Sequence, residues 1–416
     1  MATAGTTHTD VIVIGAGLAG LACTADLLRA GLTVRLLEAS DAAGGRMRTD
    51  VVDGFRLDRG FQVFNTSYPQ VKKRLDLAAL RLRPFTPGML LDHAGRRVRL
   101  GDPTRRPHPL ADLLPGRFAS ARDLAALAVL SARDLLAPPA LLRRGPETTT
   151  RAALSAAGIS SDLTEAFFRP FLAGVFLEAD LETSSRFFHL VWRSMLRGTL
   201  CLPATGIRAV PDQLADALPG GTLRLETPVQ HLRDTGVTLH DGSDLTADTV
   251  VVATGARAAQ ALLPDLDIPS GRTVTTHYHA ADRSPLAEPT LLVDTTGLLL
   301  HTSVLTEVTP TYSADGRALI SSSLLTPDAP GQEAAVRARL AELYGTDTSG
   351  WEHLGSRTVP DALPAMTAPH PLVRTTRLAK GRYVCGDHRA TGSVQGALAS
   401  GSRAAREILA DLHRGT

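Results

Sequence analysis

The sequence predicts an α/β protein in which a doubly wound parallel sheet is interleaved with an α+β domain of mixed sheet and helices. Two observations predict this fold class: a glycine-rich strand–turn–helix motif near each end of the chain, and a middle region that changes from helical to strand-like patterning. The 416 residues, 44% of them hydrophobic, are enough for two or three domains.

The first motif occupies residues 10–38. Residues 11–14 form a short apolar run, which is typical of a parallel strand buried on both faces. A Gly-x-Gly-x-x-Gly spacing follows at once, and apolar residues then recur with helical period up to Gly31, where a helix C-cap belongs. Residues 33–37 read as the second strand. The order is that of a Rossmann-like βαβ unit.

Each residue type in this motif has a physical reason. Gly15 permits the sharp turn, Gly17 lets the backbone approach a pyrophosphate, and Gly20 lets the helix pack closely on the strand. The helix N-terminus faces the phosphate charge. Glu38 ends the second strand, where a carboxylate accepts hydrogen bonds from a ribose diol. A dinucleotide site is therefore predicted, the alternative being a glycine-rich turn in an ordinary βαβ unit.

A second glycine turn, Gly44-Gly45-Arg46, comes six residues after Glu38, and NAD dehydrogenases do not need it. With it the chain resembles the flavin amine oxidase and phytoene desaturase superfamily, which includes protoporphyrinogen oxidase-like proteins. There the arginine and the glycine backbone lie beside the FAD phosphates. The resemblance implies FAD rather than NAD, and a glutathione-reductase-like variant of the Rossmann fold.

The C-terminal motif closes the same signature. Residues 382–387 read as a strand that ends in Gly386-Asp387, and a Gly-Ser-rich segment from residue 392 opens the last helix. The resemblance implies that Asp387 bonds the ribityl or pyrophosphate region and that the Val394 N–H lies at the flavin pyrimidine ring. A helix N-terminus there would stabilise the negative charge of reduced flavin. No cysteine precedes the Gly-Asp pair within residues 355–381, so non-covalent FAD is predicted.

The resemblance adds two further contacts. The segment around Gly60 and Phe61 would run beside the isoalloxazine ring, and Val229 would hold the adenine through its backbone. The complete set of predicted cofactor contacts is Gly15, Gly17, Leu18, Ala19, Gly20, Glu38, Ala39, Gly44, Gly45, Arg46, Gly60, Phe61, Val229, Gly386, Asp387, His388, Ser393, Val394 and Gln395.

Both domains are predicted to be discontinuous. The FAD-binding domain takes residues 1–75, 205–265 and 355–416. The substrate domain takes a mostly helical part, 76–204, and an antiparallel sheet, 266–354. Patterning predicts helices over 117–136, 208–218 and 332–344, a hairpin over 51–57, a β-meander over 222–254, and strands over 274–281, 290–293, 298–304 and 318–324.

Two segments of the substrate domain leave alternatives open. The amphipathic helix predicted over 117–136 either covers a substrate cavity or rests on a bilayer. The aromatic side chains of residues 165–197 either fill the core or line a cavity for an apolar substrate, and both can hold for different residues.

Two features of the sequence bear on the reaction, namely the number of dinucleotide motifs and the position of the lysines. The chain has one Gly-x-Gly-x-x-Gly motif, which favours a flavin reduced by the organic substrate and reoxidised by oxygen or a quinone. Amine oxidases of the superfamily commonly carry a lysine on a substrate-domain strand, but residues 272–279 contain none. This favours dehydrogenation of a largely apolar small molecule by hydride transfer to flavin N5. The alternatives are an amine oxidase with a non-lysine site and a reduced-flavin isomerase. His277 and His279 are candidate proton acceptors on that strand.

Composition sets the remaining expectations. The formal charge of +2 indicates no nucleic-acid partner, and three widely spaced cysteines argue against a disulfide framework. The histidine spacing predicts no metal site. Residues 1–9 contain no apolar segment and no 18-residue apolar run occurs, so a cytoplasmic protein is expected, with peripheral membrane contact as an option.

Overall fold

A computed structural model describes residues 8–93, 96–101 and 119–415. Its strands are β1 (Thr9–Ile14), β2 (Val34–Leu37), β3 (Thr49–Val52), β4 (Phe55–Asp58), β5 (Phe64–Asn65), β6 (Leu82–Pro84), β7 (Met89–His93), β8 (Arg96–Leu100), β9 (Leu200–Pro203), β10 (Leu223–Arg224), β11 (Val229–Arg233), β12 (Gly236–Leu239), β13 (Asp244–Leu245), β14 (Ala247–Val252), β15 (Gly271–Ala281), β16 (Leu292–Asp294), β17 (His301–Val304), β18 (Ala318–Leu324), β19 (Glu352–Pro364), β20 (Arg377–Ala379) and β21 (Arg382–Val384).

The helices are α1 (Leu18–Arg29), α2 (Pro69–Arg74), α3 (Ala121–Leu136), α4 (Pro139–Arg144), α5 (Thr150–Ala156), α6 (Ser161–Leu163), α7 (Arg169–Phe176), α8 (Ser185–Arg197), α9 (Ala209–Asp216), α10 (Ala256–Leu262), α11 (Leu305–Val308), α12 (Gln332–Tyr344) and α13 (Val394–Gly415). A π-helical turn at Thr164–Phe168 joins α6 to α7.

The first domain is built on a six-stranded sheet in the order β10-β2-β1-β14-β21-β20. Its strands are parallel except at the β20–β21 pair. On β1 the even and odd residues face different layers: Val11 and Val13 pack with α1 and α13, whereas Ile12 and Ile14 pack with the antiparallel β11–β12–β13 layer and α10. This double burial explains the uninterrupted apolar run that predicted the strand.

The second domain contains a seven-stranded mixed sheet in the order β19-β15-β18-β17-β16-β7-β8. Helix α12 packs on the sheet through Val336, Leu340 and Leu343. A helical cluster that includes α7 and α8 packs against Leu91 and Val293 of the same sheet. Pairing is antiparallel except between β7 and β16, whose residues Leu90 and Leu292 are in parallel register.

The chain passes repeatedly between the two domains, and one predicted boundary falls inside a strand. Strand β19 pairs along its length with β15, so residues 352–364 belong to the seven-stranded sheet, and the predicted division between 354 and 355 falls inside this strand. The segment 76–204 also contributes β7 and β8 to that sheet. The helix predicted over 117–136 begins at Ala121, and residues 117–118 lie outside the described residues.

None of the helices within 8–93, 96–101 and 119–415 combines the length and the apolar character that crossing a membrane requires. In the same part of the chain, no group of three or more His, Cys, Asp or Glu side chains is arranged to hold a metal ion. The three cysteines, all described, are buried and unbridged.

Candidate cofactor and substrate site

A cavity of about 1490 Å³ lies where the two domains meet. Its walls include the carboxyl ends of β1, β2 and β14, the start of α13, and residues of α7, α8, β15, β17 and β19. Placement at the carboxyl ends of parallel strands is where α/β folds bind nucleotides. The cavity divides by chemistry into a cofactor half around the glycine motifs and an apolar substrate half around α7 and α8.

The turn between β1 and α1 presents unused hydrogen-bond donors to the cofactor half. Among the described residues, nothing accepts from the backbone N–H groups of Gly17, Leu18 and Ala19, which line the cavity. A Cβ atom added to Gly17 would meet nothing within 4 Å. The space beside Gly17 is therefore open, as an approaching pyrophosphate requires.

Gly20 and Glu38 act on the shape of this turn. A Cβ at Gly20 would stand 1.9 Å from the Gly15 carbonyl oxygen, so Gly20 serves helix packing and does not line the cavity. The Glu38 carboxylate accepts from the Ala16 N–H at 2.7 Å and from the Ser40 hydroxyl at 2.8 Å. Glu38 lines the cavity and retains acceptor capacity, because a carboxylate offers about four lone-pair sites.

Arg46 joins the two glycine motifs across the cavity. Its guanidinium forms an ion pair with Asp387 at 2.7 Å and donates to the Ala362 carbonyl at 2.6 Å. Arg46 is partly exposed and Asp387 is buried. The residues predicted beside the phosphates and the ribityl chain thus lie side by side, although 341 positions separate them in the sequence.

His388 and the start of α13 also line the cofactor half of the cavity. The His388 side chain is 2% exposed, burial lowers its pKa to about 4, and neither ring nitrogen finds a partner within the described chain. Ser393 and Val394 line the cavity, and no described group accepts from the Val394 N–H. Gln395 differs from the prediction, because its side chain turns away and accepts from the Gln70 N–H of α2.

The segment from Asp58 to Phe61 is held by a buried polar network. Tyr278 donates to the Asp58 carbonyl, and the Asp58 carboxylate accepts from Tyr312 at 2.9 Å. Burial raises the pKa of Asp58 to about 6, although hydrogen bonds from Thr49 and others oppose the shift. The Phe61 N–H donates to Thr276. These bonds fix Gly60 and Phe61, and both residues line the cavity.

The substrate half is apolar. Its walls combine aromatic and aliphatic side chains of α7, α8 and the seven-stranded sheet, with Asn65, Tyr68, His301 and Ser323 as polar members. The lining there comprises Phe61, Pro170, Phe171, Val175, Leu177, Phe187, Val191, Met195, Leu200, Leu291, Val293 and Leu300. Phe171 and Phe187 thus line the cavity, whereas Phe168 and Phe188 are fully buried in the core, so both alternatives for the aromatic segment apply.

Comparison with known proteins assigns the chain to a family. Residues 18–409 match the family model described as flavin containing amine oxidoreductase. The chain belongs to that family.

Two curated relatives and one solved structure show which proteins this chain is similar to. Putrescine oxidase of Kocuria rosea is 51% identical over 53 residues, which are 13% of this chain and 11% of the relative. Phytoene dehydrogenase of Streptomyces griseus is 50% identical over 50 residues, 12% and 10% of the two chains. The matches thus span only about a tenth of these relatives' length. An oxidoreductase from Methanosarcina mazei has the same fold, with a TM-score of 0.71 at 17% identity over 96% of this chain and 100% of that chain.

Membership of this flavin family confirms FAD as the cofactor, and the residues present fit it. The open space at Gly17, the unused N–H donors of α1 and α13, and the unpartnered nitrogens of His388 all face one cavity. The predicted contacts that line it are Gly15, Gly17, Leu18, Ala19, Glu38, Ala39, Gly44, Gly45, Arg46, Gly60, Phe61, Val229, Gly386, Asp387, His388, Ser393 and Val394. Cys23, Cys201 and Cys385 are buried outside the lining, in agreement with non-covalent FAD.

The structure does not bring His277 and His279 to the cavity. Both are fully buried on the face of β15 that meets α12, where their Nε2 atoms lie 3.1 Å from Gln332 and Glu333 respectively. Because side chains alternate along a strand, Val274 lies on the opposite face and lines the cavity instead. The two histidines therefore cannot touch a substrate bound there.

Sequence reasoning missed His301, the histidine that does reach the cavity. It lies at the start of β17, 9% exposed, with its ring centroid 4.7 Å from that of Phe61. Burial lowers its pKa to about 4. The sequence around it, Leu300-His301-Thr302, carries no motif or spacing that distinguishes it from a structural histidine.

Proposed function

We propose that this protein is an FAD-dependent oxidoreductase that dehydrogenates a largely apolar small molecule. The observation that supports the proposal most is the character of the substrate half, where aromatic and aliphatic side chains make up most of the described lining. A cavity of this kind binds apolar compounds by removing their surface from water.

The charged residues of the cavity argue in the same direction. The chain's three lysines, Lys72, Lys73 and Lys380, are all described and none lines the cavity. The carboxylates of the described lining are Glu38, Asp361 and Asp387. Asp361 and Asp387 form ion pairs with Arg257 and Arg46, and Glu38 holds the glycine turn. A cationic amine would thus find no free carboxylate among them.

FAD, when bound, would supply the hydride acceptor, with oxygen or a quinone proposed as the final electron acceptor. The chain's own residues bind, orient and exclude water. The phenylalanines of α7 and α8 shield the substrate from solvent, and the bonds from Thr276 and Tyr278 fix the segment at Phe61. The N–H groups at the start of α13 favour negative charge at the adjoining rim.

The test is anaerobic bleaching of the flavin absorbance by a panel of polyenes, porphyrinogens and amines, with the purified holoenzyme. We expect bleaching by a polyene or a porphyrinogen and none by amines. Bleaching by amines with peroxide release would replace the proposal by C–N oxidation. Product formation by pre-reduced enzyme without oxygen uptake would replace it by isomerisation.

The variant Phe187→Glu tests whether the substrate binds in the substrate half. The new carboxylate lies in the substrate half, so the bleaching rate with an apolar substrate should fall at least about tenfold because burying a charge is costly. The FAD content should stay unchanged, since Phe187 is remote from the glycine motifs. Equal bleaching by both proteins would contradict substrate binding in this half. The cytoplasmic location, the peripheral membrane contact and the oxygen or quinone acceptor stay predictions.

A further inference from the structure

His301 is a polar residue beside Phe61 and Val293 in the wall of the substrate half. It lies on β17 between Val293 of β16 and Ser323 of β18, which are its register partners. Across the cavity wall it faces Gly174 of α7, where an added Cβ would stand 3.1 Å from His301 Nδ1. A side chain at position 174 would crowd the imidazole, so the glycine gives it room.

The imidazole has no hydrogen-bond partner within the described chain. Its Nε2 is buried and unpartnered, and no described group bonds to Nδ1. Ser323, the other polar side chain nearby, is already engaged with Thr276 at 3.0 Å. Leaving a buried polar group unpaired costs free energy, so an apolar residue would stabilise this wall better.

The ring is neutral at physiological pH, because burial without a neighbouring carboxylate lowers its pKa to about 4. A neutral imidazole offers one donor and one acceptor nitrogen. It therefore suits a neutral hydroxyl or N–H group better than an ammonium ion, and it offers nothing to a pure hydrocarbon.

We propose that His301 anchors the substrate by a hydrogen bond to one neutral hydroxyl or N–H group on an otherwise apolar molecule. This inference rests on the proposed function in one respect, namely that the substrate half binds an apolar compound. It narrows the substrate class to apolar molecules that carry such a group, and it makes His301 a residue that determines specificity.

The test uses 1-naphthol and naphthalene, two apolar probes that differ by one hydroxyl. Each is titrated into the holoenzyme, and the change in flavin absorbance gives its Kd. The ratio of the two Kd values is compared between wild type, His301→Leu and His301→Phe. Phenylalanine keeps a planar ring without nitrogens and serves if the leucine variant does not fold. Phe187→Leu is the control, because it changes the cavity volume but removes no hydrogen bond.

In wild type the ratio should favour 1-naphthol, and in the His301 variants this preference should fall about three- to tenfold, as expected for one lost hydrogen bond. Phe187→Leu should change both Kd values alike and leave the ratio. An unchanged ratio in the His301 variants, an equal fall in Phe187→Leu, or no response of the flavin to either probe in wild type would overturn the proposal.

The outcome is separable from that of the proposed reaction. Binding of the probes needs no turnover. Loss of the naphthol preference in the variants, together with no bleaching by any compound of the panel, would remove the proposed reaction and leave the anchoring role. Bleaching by a polyene, together with an unchanged naphthol preference in the His301 variants, would support the proposed reaction and contradict the anchoring role.

Discussion

At the residue scale, His279 illustrates what burial does to a titratable side chain. It is fully buried on β15, and its Nε2 lies 3.1 Å from the Glu333 carboxylate of α12. Desolvation outweighs the attraction of that carboxylate and lowers the pKa of His279 to about 4. His277 and His353 lie beside it and add to the cost of a positive charge.

This pKa makes stability depend on pH. The unfolded chain binds a proton at His279 near pH 6.5, whereas the folded chain does so only near pH 4, so stability falls as the pH drops between these values. Between pH 7.5 and 5 we expect His279 to contribute about 2 kcal/mol of this loss. His279→Gln should reduce the loss by about that amount in urea unfolding of the holoenzyme. The same change at the exposed His231 is the control, and an equal pH dependence in wild type and His279→Gln would contradict the assignment.

Residues whose position local chemistry dictates lie at the cavity, whereas residues whose position depends on tertiary packing lie elsewhere than predicted. Gly17 and Arg46 line the cavity because the two glycine turns fix their positions locally. For His277 and His279, alternation correctly predicts a shared face of β15. Nothing in the sequence tells which face meets α12 and which meets the cofactor, because that depends on where the sheet packs.

At the scale of elements, the contact between α1 and α13 holds both glycine motifs in place. The two helices pack on the same side of the parallel sheet with Leu21, Ala405 and Ile408 in one core. Gly401 of α13 lies directly against the backbone of α1, where an added Cβ would stand 2.0 Å from the Ala19 carbonyl oxygen. The small residues of α13 therefore permit a separation that side chains would prevent.

Gly401 at this contact and Gly17 at the start of α1 should respond differently to substitution by alanine. Gly401→Ala must push α13 from α1, so we expect the free energy of unfolding to fall by at least about 2 kcal/mol. In Gly17→Ala the Cβ meets nothing within 4 Å, so the apoprotein should keep its stability within about 1 kcal/mol. FAD affinity should nevertheless fall at least about tenfold, because the methyl group fills the space for the pyrophosphate. Urea unfolding of the apoprotein and FAD titration measure these effects. Normal FAD affinity in Gly17→Ala would contradict the cofactor position.

Elements with a strong pattern could be predicted from the sequence. Helix α12 has the predicted bounds, and β18 coincides with the predicted strand. Strand β19 could not be predicted in the same way. It lies at the edge of its sheet, contains Gly355 and Pro360, and is largely solvated, so it shows no period-2 alternation of apolar residues.

At the scale of the whole molecule, three separate parts of the chain converge on one cofactor cavity. The glycine turn after β1, the loop between β14 and α10, and the start of α13 all contribute to its lining. The ion pair between Arg46 of the second glycine turn and Asp387, which precedes α13, connects the N-terminal and C-terminal parts of the chain. A ligand bound here contacts parts of the chain that are far apart in the sequence. Its binding energy therefore stabilises the fold as a whole.

Removal of FAD should therefore destabilise the entire protein and not one segment. The apoprotein should unfold at a lower Tm than the holoenzyme in a single transition, and FAD at 100 times its Kd should restore about 2.7 kcal/mol, whereas NAD should restore none. Denaturing the holoenzyme should release all of the flavin into the supernatant, because no covalent bond holds it. Yellow colour that stays with the precipitated chain would contradict non-covalent binding. Restoration by NAD would contradict the match between this cavity and FAD, and an unchanged Tm would show that the three parts of the chain hold together without the cofactor.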